Sequence, residues 1–316
     1  NNNIVFTISD RTFLKTNKSL LSPSGNVNSF NSKIMNTLKN FSPDILVIGH
    51  VFTIKNEVFD YCRSNNIKIV NWFIDSISNE FLNGDKKNNF VKILNNVDKC
   101  FITSSPIKLK NLNNYKKIRY IPNPVDKSID HLVNYKNNNM KNDLFIAISH
   151  GQNRAILKKG KVDEREKLLN YMISKLNNYK LAIFGLKNIE PVWGANYYYY
   201  LSKSKTALNI SRGKYQNLYS SDRISSLIGN GLMTFVDSKT NLNKLFSNSK
   251  EAVFYKNKKD LVDKIRYYLE NDKLRKNVAR NGRNKYHSKY NNKIISNYIL
   301  AEVNLIDNIN VSWPDK

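Results

Sequence analysis

Apolar residues along the chain recur in two alternating rhythms. Short runs rich in β-branched side chains, Ile4 to Ile8, Ile45 to Gly49, Ile67 to Trp72, Lys99 to Thr103 and Ile118 to Ile121, have the length and composition of strands buried on both faces. Between them, segments 28–41, 54–64, 89–96 and 105–112 carry apolar residues at helical spacing. The run Pro122-Asn123-Pro124-Val125-Asp126 ends this series, because each proline removes a backbone donor and restricts the residue before it.

A second series opens after the polar stretch through Asn137, Asn138 and Asn139. Its predicted strands are Asp143 to Ser149, Lys180 to Gly185, Thr206 to Ser211, Leu232 to Asp237 and Ala252 to Tyr255. Helices are predicted at 163–177, 195–203, 221–229, 258–270 and 272–287. Strict alternation of strand and helix is the sequence form of parallel βαβ units, so the fold class is α/β with two doubly wound, Rossmann-like domains. Expected boundaries are 1–140 for the first domain and 141–290 for the second. The last helical run, 293–306, has no strand to pair with and is expected, within residues 291–316, to cross back onto the first domain. Two such domains in tandem place a cleft between the carboxyl ends of their sheets, where ligands of these folds bind.

Composition narrows the function classes. A chain of 316 residues with 41% hydrophobic and 11% aromatic content builds two packed cores, which excludes global disorder. The formal charge of +26 has two readings. It can draw the protein to a polyanion or to an anionic membrane leaflet, or it can be a solvated surface, since Lys and Asn are enriched together throughout. No Arg-rich block or aromatic RNA-binding motif accompanies it, so no specific nucleic-acid partner is expected. Cys62 and Cys100 lie far apart without metal-ligand spacing, which indicates neither a disulfide framework nor zinc and fits the cytoplasm, with peripheral contact on the inner face of the membrane as one option. There is no apolar run of about 20 residues and no cleavable signal pattern, although an opening on Asn1 leaves room for a missing upstream segment.

Four runs carry a family resemblance: YIPNPVD at 120–126, LNISRG at 208–213, YSSDRISSLIGNGLMTF at 219–235, and the strand, helix and END-x-x-R helix of 254–286. In that order they resemble retaining GT-B glycosyltransferases of the family-four or group 1 type, in particular the spore-maturation-like branch. The resemblance implies transfer of a sugar from a nucleotide-sugar donor to a glycan or lipid-linked acceptor. It also implies retention of anomeric configuration, with the leaving phosphate assisting proton removal and no metal cofactor. The family usually carries two glutamates spaced E-x7-E, and here those positions hold Leu218 and Ser226.

The donor chemistry can be placed on residues. A departing diphosphate needs stabilised negative charge, which helix N-termini and arginines supply. Ser220, Ser221, Asp222 and Arg223 stand at the start of an apolar helix, with Asn209, Ser211 and Arg212 at the end of the preceding strand. Gly151 and Arg154 occupy the loop after the second domain's first strand. Gly151, Arg154, Arg212, Ser220, Ser221, Asp222 and Arg223 are therefore the candidate diphosphate ligands. Gly185, Val192, Trp193, Asn209 and Ser226 are the candidates for the nucleoside, with Trp193 either stacking on a base or plugging the core edge. For each of Ser221 and Asp222 ordinary N-capping is the alternative. Arg165 reads as part of a surface ion pair, the Tyr197 to Tyr200 run as helix packing, and Arg275 as a residue outside the site. Loss of the Arg223 side chain is expected to spare the fold.

On the acceptor side, Asp10, His50 and Asp75 follow predicted strands, and His50 and Asp75 are the candidate catalytic groups, as base or as orienter of the acceptor hydroxyl. Two alternatives stay open: a sugar-nucleotide epimerase of the same architecture, and a polyanion-binding protein.

Overall fold

The computed structural model of the chain describes residues 3–17, 25–49, 51, 53–77, 86–109, 114–148, 164–186, 189–211 and 215–314. It divides into two compact units: 1–74 with 79–102 and 109–119, and 120–316 with 75–78 and 103–108.

The first unit is built on strands β1 (Ile45–Ile48), β2 (Lys68–Phe73), β3 (Lys99–Ile102) and β4 (Ile118–Tyr120), in the order β1-β2-β3-β4. β1 and β2 pair in parallel, as do β2 and β3. The central strands bury nearly every side chain, and Val58, Phe59 and Cys62 of the helix Asn56–Ser64 are buried with them. Asn71 of β2 is a buried polar side chain in that interior that the pattern would not suggest. Its amide donates to the carbonyls of Ile48 and Gly49 and accepts from the Cys100 thiol, so its polar atoms are satisfied. The expected strand at Ile4 to Ile8 does not form: the segment belongs to no sheet, and Ile4 is 83% exposed. The expected helix at 105–112 is reduced, among the described residues, to a 3-10 turn at Pro106–Leu109.

The second unit carries β5 (Asn142–Ala147), β6 (Leu181–Phe184), β7 (Ser204–Asn209), β8 (Met233–Asp237) and β9 (Val253–Tyr255), all parallel, in the order β6-β5-β7-β8-β9. The two strands that follow β5 in sequence lie on its two sides, so connections from the carboxyl ends of β5 and β7 leave in opposite directions. That is a topological switch point, and it fixes where a ligand can sit. Under the sheet, Leu144, Ile146, Leu208, Met233 and Phe235 pack with Leu169 and Met172 of the helix Glu164–Lys175 and with Leu261 and Ile265 of the helix Lys258–Glu270.

The helix Asp272–Lys289 contains a correction. Arg275 is 2% exposed. Its guanidinium donates to the Asp272 carboxylate and, at 3.0 Å, to the carbonyl of Lys205 in β7. The spacing explains it: Arg275, Val278, Ala279, Gly282 and Tyr286 form one buried stripe at helical period. Arg275→Ala is therefore expected to lower stability by about 2–4 kcal/mol, by stranding a buried carbonyl and opening a cavity, and urea unfolding of the two proteins checks it.

Candidate functional site

At the carboxyl ends of β5 and β7 the chain converges on one side chain. Arg223, in the first turn of the helix Asp222–Gly229, donates its Nε to the Ala147 carbonyl at 3.0 Å and its Nη1 to the Ile210 carbonyl. A planar guanidinium can bond both carbonyls at once, which an ammonium cannot do with the same geometry. Burial pushes Arg223 below the usual arginine range, and the like charge of Arg165 lowers it further. Arg165 itself is 7% exposed, in the first turn of the helix that follows β5. It shares the buried stripe of Leu169, Met172 and Leu176, four, seven and eleven residues on, and this spacing is the signal that separates it from a surface ion pair. The Arg165 charge thus bears on Arg223 at the switch point.

The approach to this helix is anchored by the Pro-Asn-Pro segment. The Asn123 backbone N–H donates to Ser220 Oγ at 3.0 Å, and its side-chain amide donates to the Asp222 carboxylate at 2.6 Å. Ser220 is buried, with its own N–H given to the Thr103 carbonyl. These bonds hold Ser220 in the scaffold and leave Ser221 next in line. Ser221 occupies the N-cap position but makes no capping bond, and its hydroxyl is buried without a hydrogen-bond partner among the described residues. Buried polar atoms are normally paired, so this one is informative. The same holds for Asn209 Oδ1 at the end of β7, Ser226 Oγ one turn along the helix from Arg223, and Glu166 Oε1 beside Arg165.

Tyr219 joins the candidates although the sequence pattern did not mark it. Within the second unit it feels the charges of Asp75, Asp222 and Arg223, and burial first, then the two carboxylates, push its phenol up to about 12. It is therefore a hydrogen-bond donor at neutral pH. Just before it, buried Leu218 has a φ of 57°, a left-handed conformation that costs a non-glycine residue on the order of 1–3 kcal/mol. The Leu218 N–H bonded to the Thr240 carbonyl and the Tyr120 hydroxyl bonded to the Leu218 carbonyl hold it there.

Gly185, at the end of β6, has a backbone explanation: φ is +78°, and a Cβ would stand 1.9 Å from the Ile148 carbonyl oxygen. Val192 packs beside Phe145 and Ala147, whereas Trp193 is 58% exposed before the helix Gly194–Ser202, so it does not plug the core. His50, Gly151, Arg154 and Arg212 lie outside the described residues. Among the described residues no three His, Cys, Asp or Glu side chains gather as a metal site would require.

Residues 165–301 match the sequence family described as Glycosyl transferase-like, a span that contains Arg165, Asn209, Arg223 and Ser226. That span is 137 of the 316 residues, and it is similar to this family. No curated protein matches the chain in sequence. Among solved structures, sucrose-phosphate synthase from Thermosynechococcus elongatus superposes with a TM-score of 0.59 at 11% identity, covering 93% of this chain and 78% of that one. Anabaena HepE, solved with UDP and glucose, gives 0.59 at 10% identity over 89% and 84%. A glycosyltransferase from Rickettsia africae gives 0.56 at 13% over 96% and 85%. At such identities they show a shared fold alone, the GT-B fold.

Arg223 is thus part of the scaffold as well as of the candidate site, a departure from the expectation that its loss spares the fold. Arg223→Ala is expected to cost about 2–4 kcal/mol by stranding two carbonyls at the strand ends, and Arg223→Lys to recover only part of it, as read from thermal or urea unfolding without ligand.

Proposed function

We propose that the protein transfers a glycosyl group from a nucleoside-diphosphate sugar to a hydroxyl of a glycan or lipid-linked acceptor. The observation that carries this reading is Arg223, a half-buried guanidinium at the switch point, beside the buried hydroxyl of Ser221, which has no hydrogen-bond partner among the described residues, at the N-terminus of the helix Asp222–Gly229. Desolvation disfavours the charge and the hydroxyl is left unpaired, so the site gains most from an anionic ligand with several acceptor oxygens. The solved structure of HepE with UDP on the same fold supports a nucleoside diphosphate as that ligand.

In this reading the diphosphate lies against Arg223 and the N-terminus of the helix Asp222–Gly229, with Ser221 supplying its unpartnered hydroxyl. Gly151, Arg154 and Arg212 complete the anion site from the neighbouring loops. Asn209 and Ser226 face the nucleoside, and Trp193 offers an exposed ring to the base. The anomeric carbon–oxygen bond to the diphosphate breaks and a bond to the acceptor oxygen forms. The acceptor proton passes to the leaving diphosphate oxygen in the retaining course, with His50 or Asp75 orienting the acceptor hydroxyl. Charge on the leaving group is met by arginines and helix N–H groups, so transfer proceeds without a metal. Net charge of +26 favours an anionic leaflet or an anionic acceptor nearby.

Two measurements test this. UDP or GDP is expected to raise the melting temperature, with about 2.7 kcal/mol of added stability at a hundred times the dissociation constant, and no shift with either nucleotide would overturn the donor assignment. Transfer from the matching nucleotide-sugar is expected to continue at an unchanged rate in EDTA. Activity that EDTA abolishes and Mg²⁺ or Mn²⁺ restores would refute the metal-independent course.

A further inference from the structure

The helix Gly194–Ser202 carries no charged side chain, in a chain where charged residues make up 24%. Its inner side chains, Tyr197, Tyr198 and Leu201, pack on Phe145, Ala147 and Ala207. That is the face of the second sheet opposite the one covered by the helices Glu164–Lys175 and Lys258–Glu270, which pack on Leu144, Ile146 and Leu208. A surface helix of this kind normally turns charged groups to water. This one turns out Tyr199, 49% exposed, and Tyr200, 36% exposed, with rings edge-on at 5.2 Å. Lys203 caps the helix, four residues after Tyr199 and so on the same side. The Lys203 carbonyl accepts the backbone N–H groups of Lys141 at 2.8 Å and Asn142 at 2.9 Å, which brings the exposed Lys141 alongside. Neither lysine forms an ion pair among the described residues, and the nearby Asp143 carboxylate is held by Lys205 at 2.8 Å.

Adjoining exposed rings on one helix mark a surface that something covers. A second copy of the chain is disfavoured, because +26 on each protein sets the two against one another, whereas the same charge draws the protein to an anionic leaflet. The side chains fit that partner. Tyrosine is amphipathic and settles at the headgroup level of a bilayer. Lysine meets a diffuse field of negative charge as a point charge, where a site for a single phosphate would call for the planar fork of arginine. We propose that Tyr199, Tyr200, Lys203 and Lys141 form a docking face for an anionic lipid bilayer. This goes beyond the transfer reaction: none of the four belongs to the proposed donor site, so the docking face and the donor reading stand or fall separately.

The test is co-sedimentation with vesicles of phosphatidylcholine alone and of phosphatidylcholine mixed with phosphatidylglycerol, at physiological salt. Wild type is expected to bind the mixed vesicles about tenfold or more tightly. Lys141→Gln with Lys203→Gln should lose about 25-fold in that affinity, or about fivefold per lysine, and Tyr199→Ser about three- to tenfold. Lys175→Gln with Lys259→Gln removes the same charge from the helices of the opposite face and should lose less than about twofold, since salt screens charges that far from the lipid. All these variants change exposed side chains and should keep the wild-type melting temperature, which shows that they are folded. Equal losses for the two lysine pairs, unchanged binding by Tyr199→Ser, or no preference for the mixed vesicles would overturn the inference. So would binding to heparin without binding to vesicles, which assigns the charge to soluble polyanions, or a dimer in sedimentation equilibrium that Tyr199→Ser dissociates, which assigns the rings to a second copy. None of those results touches the donor reading, and absence of any melting shift with UDP or GDP leaves the docking face intact.

Discussion

The second unit depends on one crossing: Arg223 bonded to the carbonyls beyond β5 and β7. A parallel sheet ends in carbonyls that no neighbouring strand can use, and at a switch point the connections diverge and leave a gap between the two strand ends. A guanidinium fills that gap with two charge-assisted bonds. Because Arg223 begins a helix, the same bonds set where the helix starts and therefore where its N-terminal N–H groups point. The anchoring of Asn123 to Ser220 and Asp222 works on the other side of that helix start, so the crest is clamped from two directions. A site with this construction is stiff before any ligand arrives, which is the condition under which dipoles stabilise developing charge without reorganising.

Rigidity alone would not distinguish a site from a well-made strand end. The distribution of unpaired polar atoms does. Ser221 Oγ, Ser226 Oγ, Asn209 Oδ1 and Glu166 Oε1 lie on β7 and on the helices that follow β5 and β7, four of the seven unpaired buried side-chain atoms among the described residues of the unit, the others being Ser104 Oγ, Tyr255 Oη and His287 Nδ1. Leu218, held in a left-handed conformation within the same loop, adds backbone strain to that count. Four unpaired atoms near two adjacent strand ends concentrate much of the unit's stability deficit where a ligand with many acceptors and donors would remove it.

Much of the architecture was legible because parallel strands buried on both faces must be continuous apolar runs, and β2, β3, β5, β7 and β8 are. The Ile4 to Ile8 run has the same composition and stays outside the sheets, since composition sets what a segment can bury and not whether a neighbour is there to pair with it. The proline boundary was readable from the backbone restriction, but its second role, positioning the helix Asp222–Gly229 through Asn123, depends on contacts 97 to 102 residues apart and has no local signature. Arg165 looked like a surface charge because Asp and Glu flank it in sequence. Its place on a buried stripe of period 3.6, like that of Arg275, was present in the pattern and outweighs the neighbouring charges. Tyr197 and Tyr198 were legible as packing, and their rings lie against the cluster of Phe145, Leu201 and Leu227.

Arg223 then links stability and charge. Its Nε and Nη1 are committed to carbonyls, and its Nη2 makes no hydrogen bond among the described residues. Burial lowers its affinity for the proton, as does Arg165, yet arginine keeps its charge because its ordinary value is so high. A lysine in the same environment would have far less margin, and a histidine none. The residue that holds the strand ends together is thus also one that can be desolvated beside a second cation without losing the charge a diphosphate would meet, and the two demands together account for arginine at this position.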